Sequence, residues 1–345
     1  MGVQTRQRMA GQGSRTGPTA LTAVVALLLI VPTASLAKDW PQFRGPDYDG
    51  VSREDGWRSD WSNMPPRLLW KQDLGVGYAS VAVQGGRVYT GGWDDGMDII
   101  YCLDAATGEV IWRHRYRSGK WDKNGTAGGP AGTPAVADGR VFTLGREGQL
   151  HGLDAESGEV IWRKNLKEQY GTKIPQWGLS GSPTVVGDRV LVEVGRVLAF
   201  DAATGRELAK TRDYGSAYST PVPFEHGGKQ YIAAFPEFGL VVLEADTLRE
   251  VAKHRWKTAY GVNAATPVVV GDRIFISSGY NVGCALLRFT GRDLRVLWQN
   301  RNMRNQMDTC VILGEYIYGF NESALTCLSL EIGRASCRER VSFTV

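Results

Sequence analysis

The sequence predicts an all-β fold of repeated four-stranded antiparallel units, and three observations carry that reading. First, Leu103 to Arg113 (LDAATGEVIWR) returns fifty residues later as Leu153 to Arg163 (LDAESGEVIWR), with nine of eleven positions identical. Weaker copies follow at Phe200 to Lys210 (FDAATGRELAK), Leu243 to Lys253 (LEADTLREVAK) and Leu294 to Trp298 (LRVLW). A motif returning every forty to fifty residues marks a repeat architecture. Second, one turn-forming pair recurs per repeat: Gly85-Gly86, Asp138-Gly139, Gly187-Asp188, Gly227-Gly228, Gly271-Asp272 and Gly314-Glu315. Such pairs suit two-residue hairpins with primed turns. Third, glycine is abundant (43 of 345 residues) and no run after residue 40 reads as a membrane helix, the balance of a turn-dense all-β chain. Four up-and-down strands per repeat define a β-propeller blade. A row of sandwiches would need about twice the residues per unit.

Taken in order, the chain opens with a targeting segment, 1–37. Arg6, Arg8 and Arg15 precede a twelve-residue apolar run, Ala20 to Val31, which Pro32 ends. The run is short for a membrane span, and Ser35-Leu36-Ala37 fits signal cleavage before Lys38. The expected mature chain is exported to the periplasm or beyond, with no stable membrane span. Residues 38–65 (WPQFRGP, then Trp57 and Trp61) carry too much proline for a central strand or helix. They are expected as an extended arm over the domain surface. Leu68 to Lys71 matches the last strand of a blade but has no strands before it, as a strand-swapped ring closure would require.

The propeller is expected over 66–330, with five complete blades and most of a sixth. In each blade the third strand ends at an Asp whose carboxylate accepts backbone N–H groups, a glycine completes the turn, and an apolar strand with a tryptophan follows. Glu331 to Val341 (EIGRASCRERV) shows no apolar alternation or turn logic and reads like a translated sequencing adapter. Residues 331–345 are therefore expected to be an artefactual tail, with the natural chain continuing past Leu330.

Net charge is +4, but the leader and the tail supply it. The remainder is about neutral, so the basic pI says nothing of nucleic acid or anionic membranes, and no nucleic-acid partner is expected. Cys102, Cys284, Cys310 and Cys327 are expected as buried free thiols.

The residues Asp104, Thr107, Gly108 and Trp112, then Asp154, Gly158 and Trp162, then Asp201, Thr204 and Gly205, with a drifted Trp298, resemble the blade motif of the PQQ-like β-propeller repeat family. In that family the tryptophan docks neighbouring blades. The arm resembles that of exported bacterial members, whose usual eight blades imply two more beyond those read here. Other members are quinoprotein dehydrogenases, which hold pyrroloquinoline quinone and Ca²⁺; the alcohol dehydrogenases among them add a vicinal Cys-Cys, absent here.

Little else points to chemistry. His114, His151, His226 and His254 lie on different blades without ligand spacing. Gly92 to Asp98 reads as a solvated acidic hairpin, and Gly128 to Gly132 lacks the helix that a phosphate loop needs. No metal site and no cofactor are expected; quinone and Ca²⁺ belong to the alternative. A concave rim is expected at the channel mouth, formed by Tyr78, Trp177, Tyr214, Tyr218, Tyr260, Asn263, Arg301, Arg304 and Asn305. The expected function is a non-catalytic exported scaffold that binds a protein or glycan in the cell envelope, in the manner of the outer-membrane assembly propeller. The alternative is a quinone-dependent alcohol or sugar dehydrogenase.

Overall fold

The computed structural model describes residues 38–58, 60–119 and 128–335. The expected signal segment and the last ten residues of the expected tail lie outside them.

Six antiparallel sheets follow one another along the chain, each in sequence order. The first contains β1 (Ala82–Gln84), β2 (Arg87–Asp94), β3 (Met97–Asp104) and β4 (Val110–Arg117). The second contains β5 (Ala135–Ala137), β6 (Arg140–Leu144), β7 (Gln149–Asp154) and β8 (Val160–Asn165), followed by the short helix α1 (Leu166–Tyr170). The third contains β9 (Thr184–Val186), β10 (Arg189–Glu193), β11 (Val197–Asp201) and β12 (Glu207–Lys210). The fourth contains β13 (Val222–His226), β14 (Lys229–Ala234), β15 (Gly239–Glu244) and β16 (Glu250–Arg255). The fifth contains β17 (Val268–Val270), β18 (Arg273–Ser278), β19 (Gly283–Phe289) and β20 (Leu294–Asn300). The sixth has three strands, β21 (Val311–Leu313), β22 (Tyr316–Asn321) and β23 (Ala324–Ser329), with one further bridge from Leu328 to Ala335. These are propeller blades, five with four strands and one with three.

The first strand of each blade is innermost: β1, β5 and β9 touch in turn, as do β13, β17 and β21. A ladder of hydroxyls joins the blades just before these strands. Thr133 N–H donates to Ser182 Oγ at 2.9 Å, Ser182 N–H to Thr220 Oγ1 at 2.9 Å, Thr220 N–H to Thr266 Oγ1 at 3.2 Å, and Thr266 N–H to Thr309 Oγ1 at 3.0 Å. Each buried N–H needs a partner, and here the next blade supplies it from a side chain.

The tryptophans dock blades as the repeat implies. Trp112 Nε1 donates to Ala155 O and Trp162 Nε1 to Ala202 O, each at 3.0 Å, and Trp298 Nε1 donates to Leu330 O at 2.9 Å. Each ring lies flat on the turn glycine of the next blade: Gly158, Gly205 and Gly333, where a Cβ would sit 2.5–2.6 Å from ring carbons. Those glycines have φ of 76°, 69° and 65°, so absence of a Cβ meets two demands at once. The third blade has Ala209 at the tryptophan position, and the receiving residue of the fourth is Leu248, packed in the same cluster. The small partner on one side is matched by a large one on the other.

Three expectations are corrected here. Leu68 to Lys71 is not a strand, yet Trp70 still donates to Ala105 O at 3.0 Å and lies on Gly108. It takes the place of a preceding blade's tryptophan, because side-chain docking onto glycine does not require strand pairing. The turn logic does not stop at Glu331. Gly333 N–H donates to Ser329 O at 2.8 Å, as Gly108 N–H does to Asp104 O at 2.9 Å. Ser329 in place of Asp and Ile332 in place of Thr conceal the motif. Cys102, Cys284 and Cys310 are buried free thiols, but Cys327 is disulfide-bonded.

The arm is not a surface strap. Trp40 and Val83 exchange backbone hydrogen bonds at 2.8 Å, and Val136 N–H donates to Pro41 O at 2.8 Å. Tyr48 Oη donates to Val185 O at 2.7 Å, and the buried Arg44 guanidinium donates to Cys310 O at 3.0 Å. Residues 40–48 therefore bond to the innermost strands β1, β5 and β9 and to the approach to β21. Tight turns bring this about: Arg44, Gly45 and Tyr48 all have positive φ, and Gly45 packs directly under the Trp40 ring.

Candidate functional site

In up-and-down blades, the connection between blades and the hairpin between second and third strands share one face of the disc. On that face a line of aromatics crosses from blade to blade. Tyr78, on the connection to β1, lies under the Arg146 guanidinium at 5.6 Å. Arg146, on the β6–β7 hairpin, donates to Trp177 O at 2.8 Å. Trp177 packs on Tyr218, ring centroids 6.1 Å apart. Tyr218 lies near Tyr280, and Tyr280 meets Tyr260 edge-on at 5.6 Å. The result is an aromatic arc over five blades.

The arc has a buried base and exposed prongs. Tyr218 is 9% exposed, whereas Tyr78 is 57%, Tyr260 71% and Tyr280 38% exposed. Beneath its centre lies Glu193, whose Oε1 accepts Gly195 N–H at 2.6 Å. Burial lifts the Glu193 carboxyl to about 8, so it is largely protonated at neutral pH. Sequence reasoning missed Arg146, Glu193 and Tyr280. For Tyr280 a signal existed: Gly279-Tyr280-Asn281 is a hairpin tip, and Tyr280 and Asn281 both take positive φ, a conformation Asn tolerates well.

Other rim candidates are placed elsewhere. Tyr214 turns into the wedge between the third and fourth blades, where its Oη donates to Glu250 at 2.7 Å and Arg212 stacks on its ring at 4.3 Å. Asn263 is fully buried and committed, donating to Pro236 O at 2.7 Å and accepting from Ser278 at 3.1 Å. Asn305 is also fully buried, its amide donating to Asp308. Arg304 is held by Asn321 at 2.7 Å and Glu322 at 2.9 Å. Arg301 is exposed. Polar side chains here knit connections together, because these loops have backbone groups to satisfy.

Two loops also differ from their sequence reading. In Gly92 to Asp98 only Asp95-Gly96 forms the turn; Asp98 points inward at 1% exposure, and burial raises its carboxyl to about 6. Gly129 takes φ 91° because Val76 O approaches where a Cβ would be; that glycine serves close packing. Among the described residues, no group of three or more His, Cys, Asp or Glu side chains is arranged to hold a metal.

Fold and face together define a tryptophan-docked β-propeller that displays an aromatic surface. The sequence profile of the family described as outer membrane protein assembly factor BamB matches residues 48–121 and 96–337. The chain belongs to that family. Among solved structures it is similar to BamB from Moraxella catarrhalis, at TM-score 0.53 and 18% identity over 75% of this chain and 71% of that one. It is also similar to quinohemoprotein alcohol dehydrogenase from Comamonas testosteroni, at TM-score 0.52 and 16% identity over 86% of this chain and 48% of that one. A third is the computationally designed Ika8 protein, at TM-score 0.50 and 12% identity over 74% of this chain and 71% of that one. No curated protein matches the chain in sequence. These likenesses carry the fold; the chain spans about half of the dehydrogenase.

Proposed function

We propose that this chain is an exported, non-catalytic propeller of the cell envelope that binds a protein partner through the aromatic arc. The observation that carries the reading is the arc itself, with Tyr78 exposed at one end and the packed pair Tyr260 and Tyr280 exposed at the other. Exposed aromatics backed by packed ones are the composition of a binding hot spot. Membership of a family named for outer membrane protein assembly supports a periplasmic partner in that process. Support for a non-enzymatic role comes from the centre of the disc. The inner strands that would surround a quinone, and the approach to β21, are hydrogen-bonded to Trp40, Pro41, Tyr48 and Arg44.

The test is site-specific photocrosslinking from Tyr260 and Tyr78 in cells, with Leu297 on the outer edge as control. Envelope proteins should crosslink from the arc and not from the control. Tyr260→Ala with Tyr280→Ala should abolish the products formed from position 78 while the melting temperature stays within about 2 °C, as for exposed substitutions. Crosslinking indifferent to position, or quinone-dependent dye reduction by purified protein, refutes the reading.

A further inference from the structure

Polar atoms without a hydrogen-bond partner gather where the first and second blades meet. His114 Nε2, Arg146 Nε, Gln149 Oε1 and His151 Nδ1 are all buried and unpaired among the described residues, and beside them the buried Tyr116 hydroxyl is hydrogen-bonded to the Asp98 carboxyl. Such atoms are normally scattered and few. Here they belong to one interface. Cys102 pairs with Trp112 and Ile100 with His114, so Trp112, His114 and Tyr116 alternate along β4 and face the second blade, where Trp112 docks. His151 faces them from β7, with ring centroids 4.6 Å from Tyr116 and 5.1 Å from His114.

This interface opens into a cleft of about 330 Å³ lined by Tyr116, Arg117, Gln149, His151, Arg163 and Lys164, among others. Its lining includes Arg117 and Arg163 and no carboxylate; the Lys164 ammonium is turned to the Phe200 ring of the third blade at 5.7 Å. His151 is 5% exposed with Nδ1 unpaired. Burial, then the His114 and Arg163 charges, lowers its pKa to about 3, so the ring is neutral and can accept a hydrogen bond at one nitrogen. The floor is thus neutral and hydrogen-bonding, and the mouth is positive. That volume is at the lower end of small-molecule sites, too small for a folded domain or a nucleic-acid duplex.

We propose that this cleft binds a small anionic sugar, its carboxylate or phosphate held by Arg117 and Arg163 and its hydroxyls by His151, Gln149 and Tyr116. Charge-assisted bonds at the mouth supply affinity. The unpaired atoms of the floor supply selectivity for a hydroxylated ligand, because an apolar group there would leave them unmatched.

The experiment is isothermal titration of the full chain with glucuronate, glucose 6-phosphate, glucose and sulfate at constant ionic strength. Saturable single-site binding of glucuronate alone assigns a carboxylate ligand; of glucose 6-phosphate alone, a phosphate ligand; of both, a site for either. Arg163→Gln and, separately, Arg117→Gln should each weaken binding about tenfold, the scale of one charged hydrogen bond. Gln149→Leu should weaken both sugars while the melting temperature confirms folding. No saturable heat for either anionic sugar overturns the proposal. So does sulfate binding as tightly as the sugars, or binding unchanged in all three variants. These variants leave the aromatic arc intact, so the outcome is separate from partner binding.

Discussion

Replacing Trp162 by alanine tests the inter-blade docking quantitatively. The ring is 8% exposed, lies flat on Gly205 and packs between Phe142 and Phe200 at 5.9 and 6.5 Å. Removing such a side chain costs about 3–5 kcal/mol. Its indole is the hydrogen-bond donor to Ala202 O, and an unmatched carbonyl adds about 1 kcal/mol. Trp112→Ala makes a similar hole, since that ring is also 8% exposed. Its acceptor Ala155 O, however, keeps Arg87 Nη1 at 2.9 Å. Trp162→Ala should therefore be the more damaging of the two by about 1 kcal/mol. For a domain of this size each kcal/mol shifts the melting temperature by about 2–4 °C. Differential scanning calorimetry should show a loss of at least about 6 °C for Trp112→Ala and 2–4 °C more for Trp162→Ala. A Trp162→Ala protein melting with the parent, or a more damaging Trp112→Ala, would refute the docking argument.

Two further outcomes follow from buried polar groups. Thr220→Val removes the hydroxyl that accepts Ser182 N–H and should cost about 1–3 kcal/mol in urea denaturation; Thr220→Ser should be close to neutral, and equal losses for both would show that the hydroxyl ladder does not hold the blades. Glu193 has a folded-state pKa raised to about 8 by burial, above its unfolded value, so its contribution is fully present at acid pH and is lost as pH rises through about 8. Between about pH 7.5 and 8.5 the other strongly shifted buried groups, Asp98 near 6 and His151 near 3, change little with pH in either state, given an unfolded histidine pKa of about 6.5. Glu193→Gln should flatten the decline of melting temperature across that window; a slope identical to the parent's would mean that Glu193 is ionised in the folded protein.

Much of this protein can be read from local pattern alone. The Asp-to-Gly turn, the glycine hairpins and the tryptophan strand are set by residues within about eleven positions of each other, so β4 and β8 fall where LDAATGEVIWR and LDAESGEVIWR place them. Docking by Trp112 and Trp162 is equally legible, because the repeat returns ring and glycine together. The leucine at 248 opposite Ala209 is not, since each looks like drift until the two blades are packed.

Only the tertiary structure decided what the loops do. Trp177, Tyr214 and Tyr260 occupy similar places in their repeats, yet the first packs on Tyr218, the second is wedged between blades and the third is exposed. The arm gave no sign in sequence that it bonds to inner strands 43 to 266 residues away, as Trp40 does to Val83 and Arg44 to Cys310. Strand and turn propensities act between neighbours in sequence, whereas burial, hydrogen-bond partners and pKa values are set by blades that meet only after the chain has curved into a disc. The repeat unit thus belongs to the sequence, and the face, the centre and the cleft belong to the packing.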